Sequence, residues 1–138
     1  MKQTHVIRIA SGEMRDAFSA PSQIGKRLLS WQEHLSGLPF NILEDSAVEN
    51  EPEVHKREGD LWLCLEGEVR FVHGGTLVGE YVKTTNGARD QNELGGTAIK
   101  GGAVATLQPG DWLWIPSGVP HQHSARGTAR LVIIKIPR

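Results

Sequence analysis

Apolar positions along the chain fall in short runs separated by glycine, proline and polar clusters: 5–10 (HVIRIA), 39–47 (PFNILEDSA), 60–67 (DLWLCLEG), 68–73 (EVRFVH), 111–116 (DWLWIP) and 129–136 (ARLVIIKI). Runs this short, bounded by turn residues, predict many strands rather than a helix bundle. Glycine pairs at 74–75, 95–96 and 101–102 supply the positive φ values that hairpins and bulges require. The segments 76–82, 96–99 and 103–107 read as further β-capable pieces, and the polar stretch 83–93 (KTTNGARDQNE) as a mobile loop. Two helical signals precede them. Ser11 can cap a helix of one or two turns, with Glu13 and Asp16 in its first turn before Ala17 and Phe18. From Ser22 to Ser36, the spacing of Ile24, Leu28, Trp31 and Leu35 predicts one helical face stopped by Gly37 and Pro39, with KRLLSW as an edge strand in the competing reading.

A chain of 138 residues is one domain's worth, with 1–48 read as an N-terminal strand and helix segment and 49–138 as the strands of an all-β sandwich or barrel. The 15 Lys and Arg nearly balance the 16 Asp and Glu, which argues against nucleic acid or an anionic membrane as partner. No apolar run spans a bilayer and the start lacks a secretory h-region, so the expectation is a soluble, cytoplasmic protein. A single cysteine, Cys64, allows no internal disulfide and no multi-thiolate zinc site.

Two groups of potential metal ligands stand out. Glu53 and His55 are at i and i+2, so an extended chain presents both on one face, and Asp60 can return to that face after the turn at 56–59. His121 and His123 repeat the spacing after a proline-rich turn. Imidazole with carboxylate suits a divalent transition metal, Mn, Fe, Co, Ni or Zn, and an incomplete protein shell leaves positions for water or substrate. The competing reading is solvated side chains at strand ends, where most Glu, Asp and His reside.

Gly110–His121, GDWLWIPSGVPH, matches the second cupin motif G(x)5PxG(x)2H at every fixed position. The first motif, HxH(x)3–4E(x)6G, stands in altered form as Glu53-x-His55-(x)4-Asp60-(x)6-Gly67, with Glu for the first His and Asp for Glu. Over residues 50–138 the chain resembles small single-domain bacterial cupins. The resemblance implies an all-β fold, a cupin barrel (double-stranded β-helix, jelly-roll-like), here behind a short helical N-terminal segment. It also implies a ligand set of Glu53, His55, Asp60 and His121 around one divalent transition metal. If Glu53 points outward, the set becomes His55, Asp60 and His121, with His123 as an outer or replacement ligand. The expected function is a metal-dependent enzyme acting on a small organic molecule, with His123 as the nearby acid or base and dioxygenation, isomerisation and decarboxylation all open. The alternative is a sugar- or carboxylate-binding barrel without turnover.

Alternation from Asp60 puts Trp62 and Cys64 on the ligand face and Leu61, Leu63 and Leu65 on the other. Cys64 reads as a small core residue. Trp112 and Trp114 share a face that suits a dimer contact or core better than ligand stacking. The leucine-rich outer faces, with Leu131 and Ile133 on the last strand, need a cover. That cover is expected from the N-terminal segment or from a second copy in a homodimer. His5, His34 and His73 read as surface or structural histidines, and Arg70, Arg89 and Lys100 as solvated.

Overall fold

The computed structural model describes residues 5–29 and 37–138. One short helix, α1 (Ser11–Phe18), precedes twelve strands: β1 (Gly25–Leu28), β2 (Phe40–Glu49), β3 (Glu53–His55), β4 (Glu58–Glu66), β5 (Val69–His73), β6 (Thr76–Val78), β7 (Tyr81–Thr85), β8 (Ala88–Gly95), β9 (Ala98–Lys100), β10 (Ala103–Leu107), β11 (Trp112–Ile115) and β12 (His121–Pro137). All pairings are antiparallel. The long β12 is the spine. Its first residues pair with β3 and β5, and the remainder lies between β2 and β4. One strand therefore belongs to both walls of the curled sheet: β1, β2, β4 and β11 extend one wall, and β3, β8, β7, β5 and β10 the other. A bulge between Ala125 and Thr128 marks the change of partner.

The barrel interior is filled by Leu43, Trp62, Cys64, Val69, Phe71, Leu107, Ile115, Leu131 and Ile133. Leu131 and Ile133 thus point inward, not outward as their strand pattern suggested. The outward residues are their neighbours Val132 and Ile134, which pack with Leu63 and Leu65 under Met14, Ala17 and Phe18 of α1. In an apolar run such as LVIIKI, alternation alone cannot choose the inner face, and the upstream bulge changes the parity. The N-terminal helix accordingly supplies part of the expected cover.

Three other expectations are corrected. Residues 6–10 form no strand. The predicted helix from Ser22 is not formed over its first half: Gly25–Leu28 is an edge strand on β2, leaving Ile24 and Leu28 exposed, while Trp31, His34 and Leu35 lie outside the described residues. The tertiary pairing of KRL with β2 outweighs its helical spacing. The polar stretch 83–93 is the β7–β8 hairpin, turned at Asn86-Gly87 with φ of 52° and 80°. An Asn-Gly pair is what a two-residue turn with both φ positive demands, so a hairpin signal does lie within this polar run.

Gly67, which ends the first motif, has φ +70°, and a Cβ there would lie 2.0 Å from the Thr128 carbonyl oxygen. Only glycine allows β4 to turn into β5 this close to β12.

Candidate metal centre

Four side chains from three strands meet inside the barrel near the start of β12. Glu53 and His55 lie on β3, Asp60 on β4 and His121 on β12, where His121 is the register partner of Glu53. His55, Asp60 and His121 are buried, with Asp60 and His121 each 1% exposed. Glu53 Oε1 is 3.4 Å from His55 Nε2 and 3.7 Å from His121 Nε2. Asp60 Oδ2 is 3.5 Å and 3.3 Å from the same two atoms. Glu53, His55 and His121 offer donor atoms that all lie within 4.8 Å of one another. Asp60 joins them through its contacts with the two imidazoles.

Each imidazole is aimed by its other nitrogen. His55 Nδ1 donates to Glu93 Oε1 at 2.7 Å, and His121 Nδ1 donates to the Val119 carbonyl at 3.1 Å, so both Nε2 atoms face the cluster. Each carboxylate is likewise held from outside. Lys83 Nζ donates to Glu53 Oε2, and Lys135 Nζ donates to Asp60 Oδ1 at 2.7 Å while lying 3.4 Å from His55 Nε2. Sequence reasoning missed Glu93, Lys83 and Lys135. They sit far from both motifs, and only the β3–β8–β7 pairing and the far end of β12 bring them in.

Burial on its own would push the two carboxyls up and the two imidazoles down. The opposite charges across the cluster overcome it. His121, His55 and Lys83 hold Glu53 far below the usual carboxylate range, and His121, His55 and Lys135 do the same for Asp60. Asp60 and Glu53 in turn raise His55 to about 10 and raise His121 as well.

The donor set fits a divalent transition metal on two observations. Asp60 Oδ2 and His121 Nε2 are buried without a hydrogen-bond partner although they face each other. A native interior rarely leaves two such atoms unsatisfied. The separations also match in scale, because bonds of about 2.1 Å place neighbouring ligand atoms about 3.0 to 3.4 Å apart. Two imidazoles and two carboxylate oxygens are the ligands that Mn, Fe, Co, Ni and Zn accept. Two surface clefts among the described residues, of about 870 and 670 Å³, involve none of the four donors. Both are lined mainly by exposed side chains.

His123 lies two residues further along β12 and does not join the four. Its Nδ1 faces Asp45, which accepts from it, and Asn50 Nδ2 at 3.0 Å, while its ring packs against Trp62 at 5.0 Å and Phe71 at 5.6 Å between centroids. Trp62 and Cys64 are fully buried on the inner face as expected, and Trp62 Nε1 is a third buried atom without a partner. Cys64 donates weakly to the Glu66 and Gly67 carbonyls, and burial pushes its thiol up. Trp112 and Trp114 point outward and are about half exposed, so they neither fill the core nor reach the interior. His5, Arg70, Arg89 and Lys100 are exposed and His73 half-buried. Among the described residues no helix is long and apolar enough to cross a membrane.

No family model and no curated protein matches the chain. Solved structures do. The chain is similar to the CENP-C cupin domain of Drosophila melanogaster, with TM-score 0.51 and 11% identity over 80% of this chain and 63% of that one. It is similar to YcfD, a ribosomal oxygenase from Escherichia coli, with TM-score 0.52 and 19% identity over 72% of this chain but only 22% of that one. It is also similar to protein NMB1881 from Neisseria meningitidis, with TM-score 0.52 and 10% identity over 93% and 99% of the two chains. Identities this low speak to architecture alone. With its strand pairing, its single long shared strand and these structural neighbours, the chain has the cupin fold.

Proposed function

We propose that this barrel holds one divalent transition metal on Glu53, His55, Asp60 and His121 and is a metal-dependent enzyme acting on a small organic molecule. The observation that carries the reading is the pair of buried, unpartnered atoms, Asp60 Oδ2 and His121 Nε2, 3.3 Å apart. With His121 unprotonated at Nε2, two buried acceptors face each other, and a shared cation recovers the free energy this costs. A bound metal would supply Lewis acidity toward an oxygen-bearing substrate. The chain's own part is to fix the donors: Glu93 and the Val119 carbonyl set the imidazole tautomers. His123, oriented by Asp45 accepting from Nδ1, with Asn50 Nδ2 donating to that carboxylate and to the His123 carbonyl, keeps Nε2 as the atom that takes or gives a proton. Trp62, with its unpartnered indole N–H, is the donor available to a substrate oxygen.

The second reading, a binding barrel without turnover, has one observation in its favour. Lys83 and Lys135 already balance the charge of the two carboxylates. Elemental analysis of protein purified without added metal separates the possibilities. The expected result is a transition metal in the wild type that is lost in His121→Ala. Equal metal content in the two overturns the assignment, and metal retention with no turnover of any oxygenated small-molecule substrate favours the binding barrel.

A further inference from the structure

The two lysines beside the cluster are not part of either motif, and their placement is specific. Lys83 arrives from the edge hairpin on β7 and Lys135 from the far end of β12, so two unrelated parts of the chain converge on the same arrangement. Each donates to one oxygen of one carboxylate, Lys83 to Glu53 Oε2 and Lys135 to Asp60 Oδ1, and the Lys135 ammonium also lies 3.4 Å from His55 Nε2. The other oxygen of each carboxylate, Oε1 and Oδ2, is the one that faces the imidazoles. Both lysines are half-buried, with side chains 31% and 28% exposed. The further carboxylate near them, Glu58, stands 3.8 Å from Lys135 Nζ.

A carboxylate with both oxygens free can grip a cation with two bonds, whereas one whose second oxygen is bonded to an ammonium has only one to give. The two ammoniums also cancel the charge of the two donor carboxylates when both imidazoles are neutral, while Glu93 on His55 Nδ1 and Glu58 near Lys135 add negative charge outside that balance. Resting on the metal-site reading above, we propose that Lys83 and Lys135 are positioning residues that hold Glu53 and Asp60 as single-oxygen donors and cancel their charge. The consequence is that the barrel takes up and releases a divalent cation rather than locking it in. A metal that exchanges, with coordination positions left open by single-oxygen carboxylates, is the arrangement a substrate-binding centre requires.

The test is a Co²⁺ titration of the full chain followed by visible absorption, comparing wild type with Lys83→Met, Lys135→Met and Lys135→Arg. Each methionine variant frees a carboxylate oxygen, so its Co²⁺ band loses intensity as the coordination number rises. Removing one nearby positive charge also tightens binding by roughly tenfold. Lys135→Arg keeps the charge and a donor, and retains the wild-type band and affinity. Lys83→Met, on the edge hairpin, leaves the central strands intact should Lys135→Met fold poorly. A Co²⁺ affinity that is unchanged or weaker in the methionine variants overturns the role of the lysines while leaving the metal site standing. So does a band that moves in neither. A wild type that binds no Co²⁺ overturns both.

Discussion

Asp60 on β4 and His121 on β12 present their free atoms to each other 3.3 Å apart in the barrel interior, and neither Oδ2 nor Nε2 has a hydrogen-bond partner. A cation between them binds the folded chain and has no preformed site in the unfolded one, so it raises stability by mass action. Added Mn²⁺ or Zn²⁺ at about 100 times its Kd is expected to stabilise the fold by about 2.7 kcal/mol. His121→Ala and Asp60→Asn should abolish that gain. Thermal melts with and without metal check this, and a gain equal to the wild type's in both variants refutes it.

The pH dependence of the metal-free protein follows from the same contacts. Asp60 is depressed from 3.8 in the folded state, so its contribution is present above 3.8 and is lost only as pH falls through its much lower folded value. His55 is raised from 6.5 to about 10, so its contribution is complete below 6.5 and disappears as pH rises through about 10. Metal-free stability is therefore greatest between these limits and declines on the alkaline side. Metal binding has the opposite slope there, because the ion needs the imidazoles unprotonated. The increment in melting temperature on adding metal should grow from pH 6.5 upward, and an increment that shrinks over that range contradicts the cluster's charge state.

Much of this site is legible in the amino-acid sequence. Alternation along short strands puts Glu53 and His55 on one face, with Asp60 able to return to it, and pairs His121 with His123, because these are local properties. Joining Glu53, His55, Asp60 and His121 into one set comes from the resemblance to the two cupin motifs. The groups that orient them are not legible in the same way. Glu93 and Lys83 reach the cluster only because β8 and β7 pair outward from β3, a long-range arrangement with no local signature. The inner face of β12 escapes a pattern reading for a related reason: LVIIKI is apolar on both sides, and the bulge before Thr128 decides which residues turn inward.

Cys64 carries a prediction that separates packing from chemistry. The thiol is fully buried between Trp62 and the β4–β5 turn, and burial raises its pKa. Thiolate is the reactive form, so a disulfide reagent at neutral pH should label Cys64 only on the timescale of unfolding and completely in denaturant. Cys64→Ala should retain metal binding. Rapid labelling of the native protein is the outcome that places a reactive thiol in the barrel.

On the outer face of the same sheet, Arg130 fastens the N-terminal segment. Its guanidinium donates to buried Glu44 at 3.0 Å, to the Phe18 carbonyl, and to the Ala20 carbonyl at 2.8 Å. Glu44 also accepts from Arg27 at 2.7 Å and from the Gln23 N–H at 3.2 Å. Burial pushes the Glu44 carboxyl up, but Arg27, the Gln23 N–H and Arg130 together lower it. Arg130→Met leaves Glu44 with one arginine and two backbone carbonyls without their donor, and removing one partner of a buried pair costs about 3 kcal/mol or more. Because these bonds tie down residues 18–23, the loss should appear as faster hydrogen exchange in α1 and β1. The interior donors lie on the opposite face, so the metal affinity of the folded variant should not change. Lost metal affinity with undisturbed exchange in α1 would show that Arg130 acts on the interior instead.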